Sequence, residues 1–254
     1  MKKFTPLNSL MNSIYIAEND LRQSFKSVRH VVWSLLFPIF MMFTFSFRAS
    51  TTGQTDIEYI RDILVPGIVG MTAMFGSTNE TMSIVWDKSL GVFDRILAAP
   101  VSSTSIIVGK TMAGAVMGVI SAIVLLIIGS TIFNASFANI GAALLIILLA
   151  SFSFTGIGTI ISGLASEPRE AMMLSNLLRF PMMLLGGVFF PISAMPMPLP
   201  YIARALPLTY ATEALGAIQT GNPFTVFFDA IVLLIYTVGT VLFGSQILMR
   251  IMTR

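Results

Sequence analysis

The chain has 254 residues, of which 55% are hydrophobic and only 11% charged, with a mean hydropathy of +0.85. Soluble domains carry roughly 25% charged residues, so a water-compatible surface cannot be assembled and a multispanning membrane protein is implied. The net charge of +3 follows from basic residues flanking membrane spans, which argues against nucleic acid as a partner. Cysteine is absent and His30 is the only histidine. A disulfide framework, a thiol nucleophile and a cysteine- or histidine-built metal site are thereby excluded, and neither a cofactor nor a metal is expected on this chain.

In chain order, the first 30 residues read as a cytoplasmic arm. Leu7, Leu10, Met11, Ile14, Leu21, Phe25 and Val28 share one broad helical face, with Asn8, Asn12, Asn19, Arg22 and Lys26 mostly elsewhere. This predicts an interfacial helix lying along the membrane, with Glu18 on its apolar stripe against the pattern. The arm has two lysines but no uninterrupted apolar core before a cleavage site, so no cleaved signal peptide is expected.

Spans are predicted at 31–47, 63–85, 106–133, 140–164, 172–190 and 224–248, each near the ~20 residues that a bilayer core requires. A polar connection at 48–61, a tight turn near 134–139 and a charged link at 166–170 separate them. The expected class is therefore all-α and polytopic, a single transmembrane domain with six transmembrane helices. Prolines 191, 196, 198, 200 and 207 are too dense for a continuous span, so 191–222 is expected to form one or two short re-entrant helices at the outer mouth. Six spans put both termini on one side, and that side collects twelve of the fifteen basic residues, all but Arg48, Arg61 and Arg204. Both termini are accordingly expected in the cytoplasm.

The longest polar interruption downstream of the arm is WDKSLGVFDRILAAPVSSTSIIVGKT, from Trp86 to Thr111. At about 100° per residue, Trp86, Leu90, Phe93 and Leu97 form one stripe, while Asp87, Lys88, Gly91, Asp94 and Arg95 lie around the other side. The spacing predicts a short amphipathic cytoplasmic helix ended by Pro100, its apolar side fixed at the membrane and its charges offered to a soluble partner. Ser102, Ser103 or Thr104 can cap the helix that follows. Gly109-Lys110-Thr111 imitates the end of a phosphate-binding loop, but the position needing the first glycine is Thr104 and no strand precedes it. Lys110 is expected instead to snorkel at the base of the third span.

Within the spans, Asn79 and Glu80 are candidates for a gate or cavity, or for a hydrogen-bonded helix boundary. Arg179 is a candidate for an acidic substrate group, for pairing with Glu80 or Glu170, or for snorkelling to the inner interface. Gly114 and Gly118 permit close helix approach, expected to be intramolecular.

The order of arm, two spans, cytoplasmic helix, four spans and proline-rich outer segment resembles the type 2 exporter permeases of ATP-binding-cassette (ABC) transporters. The resemblance is carried by Asp87, Gly91, Asp94, Arg95, Ala99, Pro100, Val101 and Gly109-Lys110, and by Phe190-Pro191, Pro207-Leu208-Thr209-Tyr210 and Glu213. It covers nearly the whole chain and is closest to the drug-resistance and polysaccharide-export branches. Gly216 departs from the pattern, standing where a basic residue is expected. The resemblance implies two permease copies, or one copy with a paralogous permease, in the plasma (inner) membrane. Two separate ABC ATPase subunits would hold the ATP and Mg, and the 86–104 segment would be the coupling helix. Tyr210 and Glu213 join Asn79, Glu80 and Arg179 as candidates for the translocation path of an amphipathic, drug-like or lipid-like substrate, or of a lipid-linked glycan. The alternatives are an ion-coupled secondary transporter or channel, for which the spans offer few charged relays, and an integral membrane enzyme limited to carboxylate or serine chemistry.

Overall fold

The computed structural model describes residues 6–26, 35–45, 60–91 and 102–252. Among them every regular element is helical. Helix α1 is Pro6–Lys26 and α2 is Leu35–Phe45. A π-turn at Ile60–Leu64 leads into α3, Val65–Thr81, followed by α4, Ser83–Ser89. Then come α5, Ser103–Ile132, α6, Ile140–Leu164, and α7, Pro168–Leu185. A 3-10 turn at Ile192–Ala194 precedes α8, Leu199–Arg204, α9, Pro207–Thr220, and α10, Pro223–Met252.

Four stretches among the described residues are long and apolar enough to cross a membrane: Ile60–Ser89, Thr104–Ile132, Ile140–Leu164 and Pro223–Arg250. Leu35–Phe45 is apolar but shorter. The predicted fifth span is not among these four: α7 runs from Pro168 to Leu185, so Pro168, Arg169 and Glu170 of the expected link start the helix. Proline fits a first helical turn, where no N–H is needed. The far end stops at Gly186, and Gly187 takes φ +76, a left-handed turn that glycine adopts without a Cβ clash.

Helix α3 is the centre of the bundle, packed by α5, α6 and α9. Its Ile68, Met71, Ala73 and Met74 are fully buried. The α3–α5 seam is lined by small residues: a Cβ on Gly118 would lie 1.9 Å from Ser77 Oγ and 2.9 Å from the carbonyl of Ala73. The expectation that the Gly114 and Gly118 pair serves packing within the chain holds, since Gly114 likewise faces Thr81 and Thr155. Helix α10 packs on α6 and α9 but turns Phe227, Leu234, Ile235, Leu242 and Phe243 outward, as a lipid-facing helix does.

Local signals set several boundaries. Ser102 caps α5, its Oγ accepting from the Ser105 N–H at 3.2 Å, and Asn139 caps α6 in the same way through Ala142, at 3.0 Å. Replacing Ser102 with alanine removes one of these acceptors; a loss of about 1 kcal/mol is expected, read as a lower melting temperature of the purified chain.

The arm helix is present, and its small and polar face packs on the bundle. Ser13 and Ala17 are buried and Asp20 and Ser24 partly so, forming one stripe against α5, where the backbone of Ser13 and the side chain of Ile16 crowd Gly109. The apolar side, with Leu10, Met11, Ile14 and Phe25, stays outward. The small and polar face therefore meets protein, and the apolar face carries no partner among the described residues.

Candidate functional site

Two polar centres stand out, one at each end of the bundle. The first gathers where α1, the foot of α3–α4 and the base of α5 meet. Helix α3 breaks at Met82, and the carbonyl of Thr81 beside this break accepts a hydrogen bond from Ser162 Oγ on α6 at 2.8 Å. After the break, α4 carries Trp86 and Asp87.

Of the helix expected from Trp86 to Pro100, only residues 86–91 are described. The helix containing Trp86 begins at Ser83 as a continuation of the span, and it stops at Leu90 because Gly91 turns with φ +66. Trp86 and Leu90 face outward, 49% and 68% exposed, as do Lys88 and Ser89. Asp87, expected among the charges offered to a soluble partner, points inward. Phe93, Asp94, Arg95, Leu97 and Pro100 lie outside the described residues.

Lys110 does not snorkel. It is 2% exposed, and its ammonium donates to Asp87 Oδ2 at 2.6 Å and to Asp20 Oδ2 at 2.9 Å. A buried cation is tolerable only with such partners, and two carboxylates around one ammonium supply them. One turn inside the span, Glu80 accepts from Ser24 Oγ of the arm at 2.7 Å. Glu80 therefore sits at a boundary between helices, hydrogen-bonded to the arm, and Asn79 beside it is half-buried. Asp20 and Ser24 were not singled out in the sequence. Their signal was the stripe Ser13, Ala17, Asp20, Ser24, spaced by three or four residues.

Arg179 is buried on α7, its guanidinium 5.2 Å from the centre of the Phe75 ring on α3. It is bound to neither of the acids expected for it: Glu80 is held by Ser24, and Glu170 accepts from the backbone N–H of Ser166 at 2.8 Å. Nor does it snorkel, since its Nε and Nη2 are buried and have no hydrogen-bond partner among the described residues.

The second centre lies around α8, α9 and the start of α10. Arg204 pairs with Glu213, the Tyr210 hydroxyl donates to the carbonyl of Arg204 at 2.7 Å, and the Tyr236 hydroxyl donates to that of Ala205 at 3.0 Å. The two tyrosine rings lie 6.1 Å apart. Tyr210 and Glu213, both expected on the path, are thus brought together, and with them Asp229, the acid of the last span. Of the residues expected on the translocation path, Asn79 and Glu80 lie at the foot of α3, Arg179 against Phe75 one turn earlier on the same helix, and Tyr210 with Glu213 beneath α8.

A bundle of apolar helices with a buried ionic joint at the root of a polar connecting segment defines a multi-pass membrane protein. The profile of the ABC-2 type transporter family matches residues 14–220, and the chain belongs to that family as a membrane permease. Nodulation protein J of Rhizobium meliloti (strain 1021) is 25% identical over 174 residues, covering 67% of this chain and 66% of that protein. The daunorubicin resistance ABC transporter permease protein DrrB1 of Streptomyces coeruleorubidus is 24% identical over 83% of this chain and 74% of its own length. The probable multidrug ABC transporter permease YbhR of Escherichia coli (strain K12) is 24% identical over 59% of this chain and 41% of its own. The chain thus spans from about two-fifths to about three-quarters of these relatives.

Proposed function

We propose that this permease is half of an ATP-driven exporter, pairing with a second copy of itself or a paralogue and with separate ABC ATPase subunits that bind ATP and Mg. Six spans, both termini in the cytoplasm and outer re-entrant helices at α8 and α9 complete the reading. An amphipathic molecule of drug-like or lipid-like character is the proposed cargo, in keeping with the names of DrrB1 and YbhR. The segment from Trp86 to Pro100 is the proposed docking element for the ATPase.

The observation that carries this reading is the joint at Lys110. Through Asp87 and Asp20 it ties the root of the proposed docking segment to the arm and to the third span, so a push on that segment is delivered to three helices at once. Stiffness is what a transmitted motion needs, and a doubly paired buried ammonium supplies it. Family membership adds the expectation of an ATP-driven partner, which favours this reading over an ion-coupled transporter or channel.

The test is to tag the chain, extract it gently from native membranes and identify what co-purifies. A stoichiometric ATP-binding subunit, lost when Phe93 and Arg95 are replaced by alanine, is the expected result. A chain that purifies alone as an oligomer would overturn the proposal.

A further inference from the structure

Asp229 lies nearly two turns into α10, about 9 Å along the helix from Pro223. It is 1% exposed, and its Oδ2 has no hydrogen-bond partner among the described residues. A cavity of about 700 Å³ lies beside it, lined also by Arg204, Tyr210, Glu213, Phe224 and Phe228. That volume is within the range of sites for drug-sized ligands, roughly 300–1,000 Å³.

The base and the tyrosine hydroxyls around Asp229 hydrogen-bond elsewhere among the described residues. Arg204 is paired with Glu213, and the Tyr210 hydroxyl is donated to a backbone carbonyl. The hydroxyl of Tyr236, whose ring lies against Tyr210, is also given to a backbone carbonyl. Tyr210, Phe224 and Phe228 bring three aromatic rings to the lining, beside the polar Thr220, Asn222 and Thr225. Two acids and one base give the lining an excess of acidic groups, in a cavity that three aromatic residues also line.

Aromatic faces around a buried carboxylate form an environment that recognises a bulky organic cation, through ring quadrupoles and one counter-charge, and disfavours an anion of the same shape. We propose that this cavity is a binding site for the cationic group of an amphipathic molecule, with Asp229 as its counter-ion. The location at the outer end of the bundle rests on the exporter reading above, but the binding chemistry does not.

The experiment uses the full chain, purified into lipid nanodiscs, and two probes of matched shape and opposite charge, tetraphenylphosphonium and tetraphenylborate. Saturable binding of the phosphonium, at least tenfold tighter than any binding of the borate, is expected. Asp229→Asn should weaken phosphonium binding tenfold or more, and Asp229→Glu should restore part of it. Glu213→Gln should also weaken it, because the released Arg204 would then compete for Asp229. Equal binding of both probes, no binding of the phosphonium, or full retention by a monodisperse Asp229→Asn chain would each overturn the site. Because the comparison of probes on the unaltered chain needs no variant, misfolding cannot hide the answer. A chain that binds the cation yet brings down no ATPase keeps this site and loses the exporter reading; the converse result separates them in the other direction.

Discussion

Lys110→Met will cost about 3–5 kcal/mol of stability, the usual consequence of removing one partner from a buried ion pair. Methionine matches the lysine stem in length, so little packing is lost, but Asp20 and Asp87 are then left 12% and 24% exposed without the ammonium they share. Exposure of that order leaves the two carboxylates poorly hydrated and repelling each other. The measurement is thermal unfolding in detergent, followed by size-exclusion chromatography. A triple variant, Asp20→Asn, Asp87→Asn and Lys110→Met, should recover a large part of the loss, because amides tolerate each other where carboxylates do not. If Lys110→Met melts with the native chain, the joint does not hold the arm. If the segment docks an ATPase as proposed, the triple variant should fold yet show weaker stimulation of that ATPase by substrate, since the segment would no longer be tied to the arm by charge.

Gly118→Ala is expected to cost about 1–3 kcal/mol, the range for forcing extra atoms into a packed interior. Its Cβ would approach Ser77 Oγ, Ser151 Oγ and the carbonyl of Ala73 at 1.9, 2.9 and 2.9 Å. A hydroxyl can rotate away, but the Ala73 carbonyl is helix backbone and cannot. Adding Ser77→Ala should therefore rescue Gly118→Ala only in part. Full rescue would mean that the α3–α5 separation is set by the serine rather than by the backbones. The same melting assay decides this, with Gly239→Ala as the reference, since nothing lies within 4 Å of that position.

Span limits were legible wherever a local signal existed. The fourth predicted span coincides with α6, because Asn139 caps one end and an uninterrupted apolar run fills the rest. Ser102 opened α5 for the same reason. The helix in place of span five starts earlier than expected because Pro168 begins it inside a charged stretch, where hydropathy alone reads a link. Of the amphipathic pattern from Trp86 to Leu97 only the first six residues are described, and there Gly91 turns the chain with φ +66, a local backbone choice that spacing alone does not register.

What the sequence by itself determined is the class: an apolar, cysteine-free chain with too few charges for a soluble surface, broken into helices by prolines, glycines and caps, and belonging to the ABC-2 type transporter family. Those properties are local or summed over the chain, so neighbours in sequence suffice to read them. The fate of each buried charge was decided only by the tertiary structure. Lys110 meets Asp87 from 23 residues away and Asp20 from 90, Glu80 meets Ser24 from 56, and Arg179 stacks on Phe75 of another helix. Asp229 gained its meaning from α8 and α9 folding back over the start of α10. A charge in a membrane protein is governed by what desolvates it and what pairs with it, and both come from helices distant in sequence.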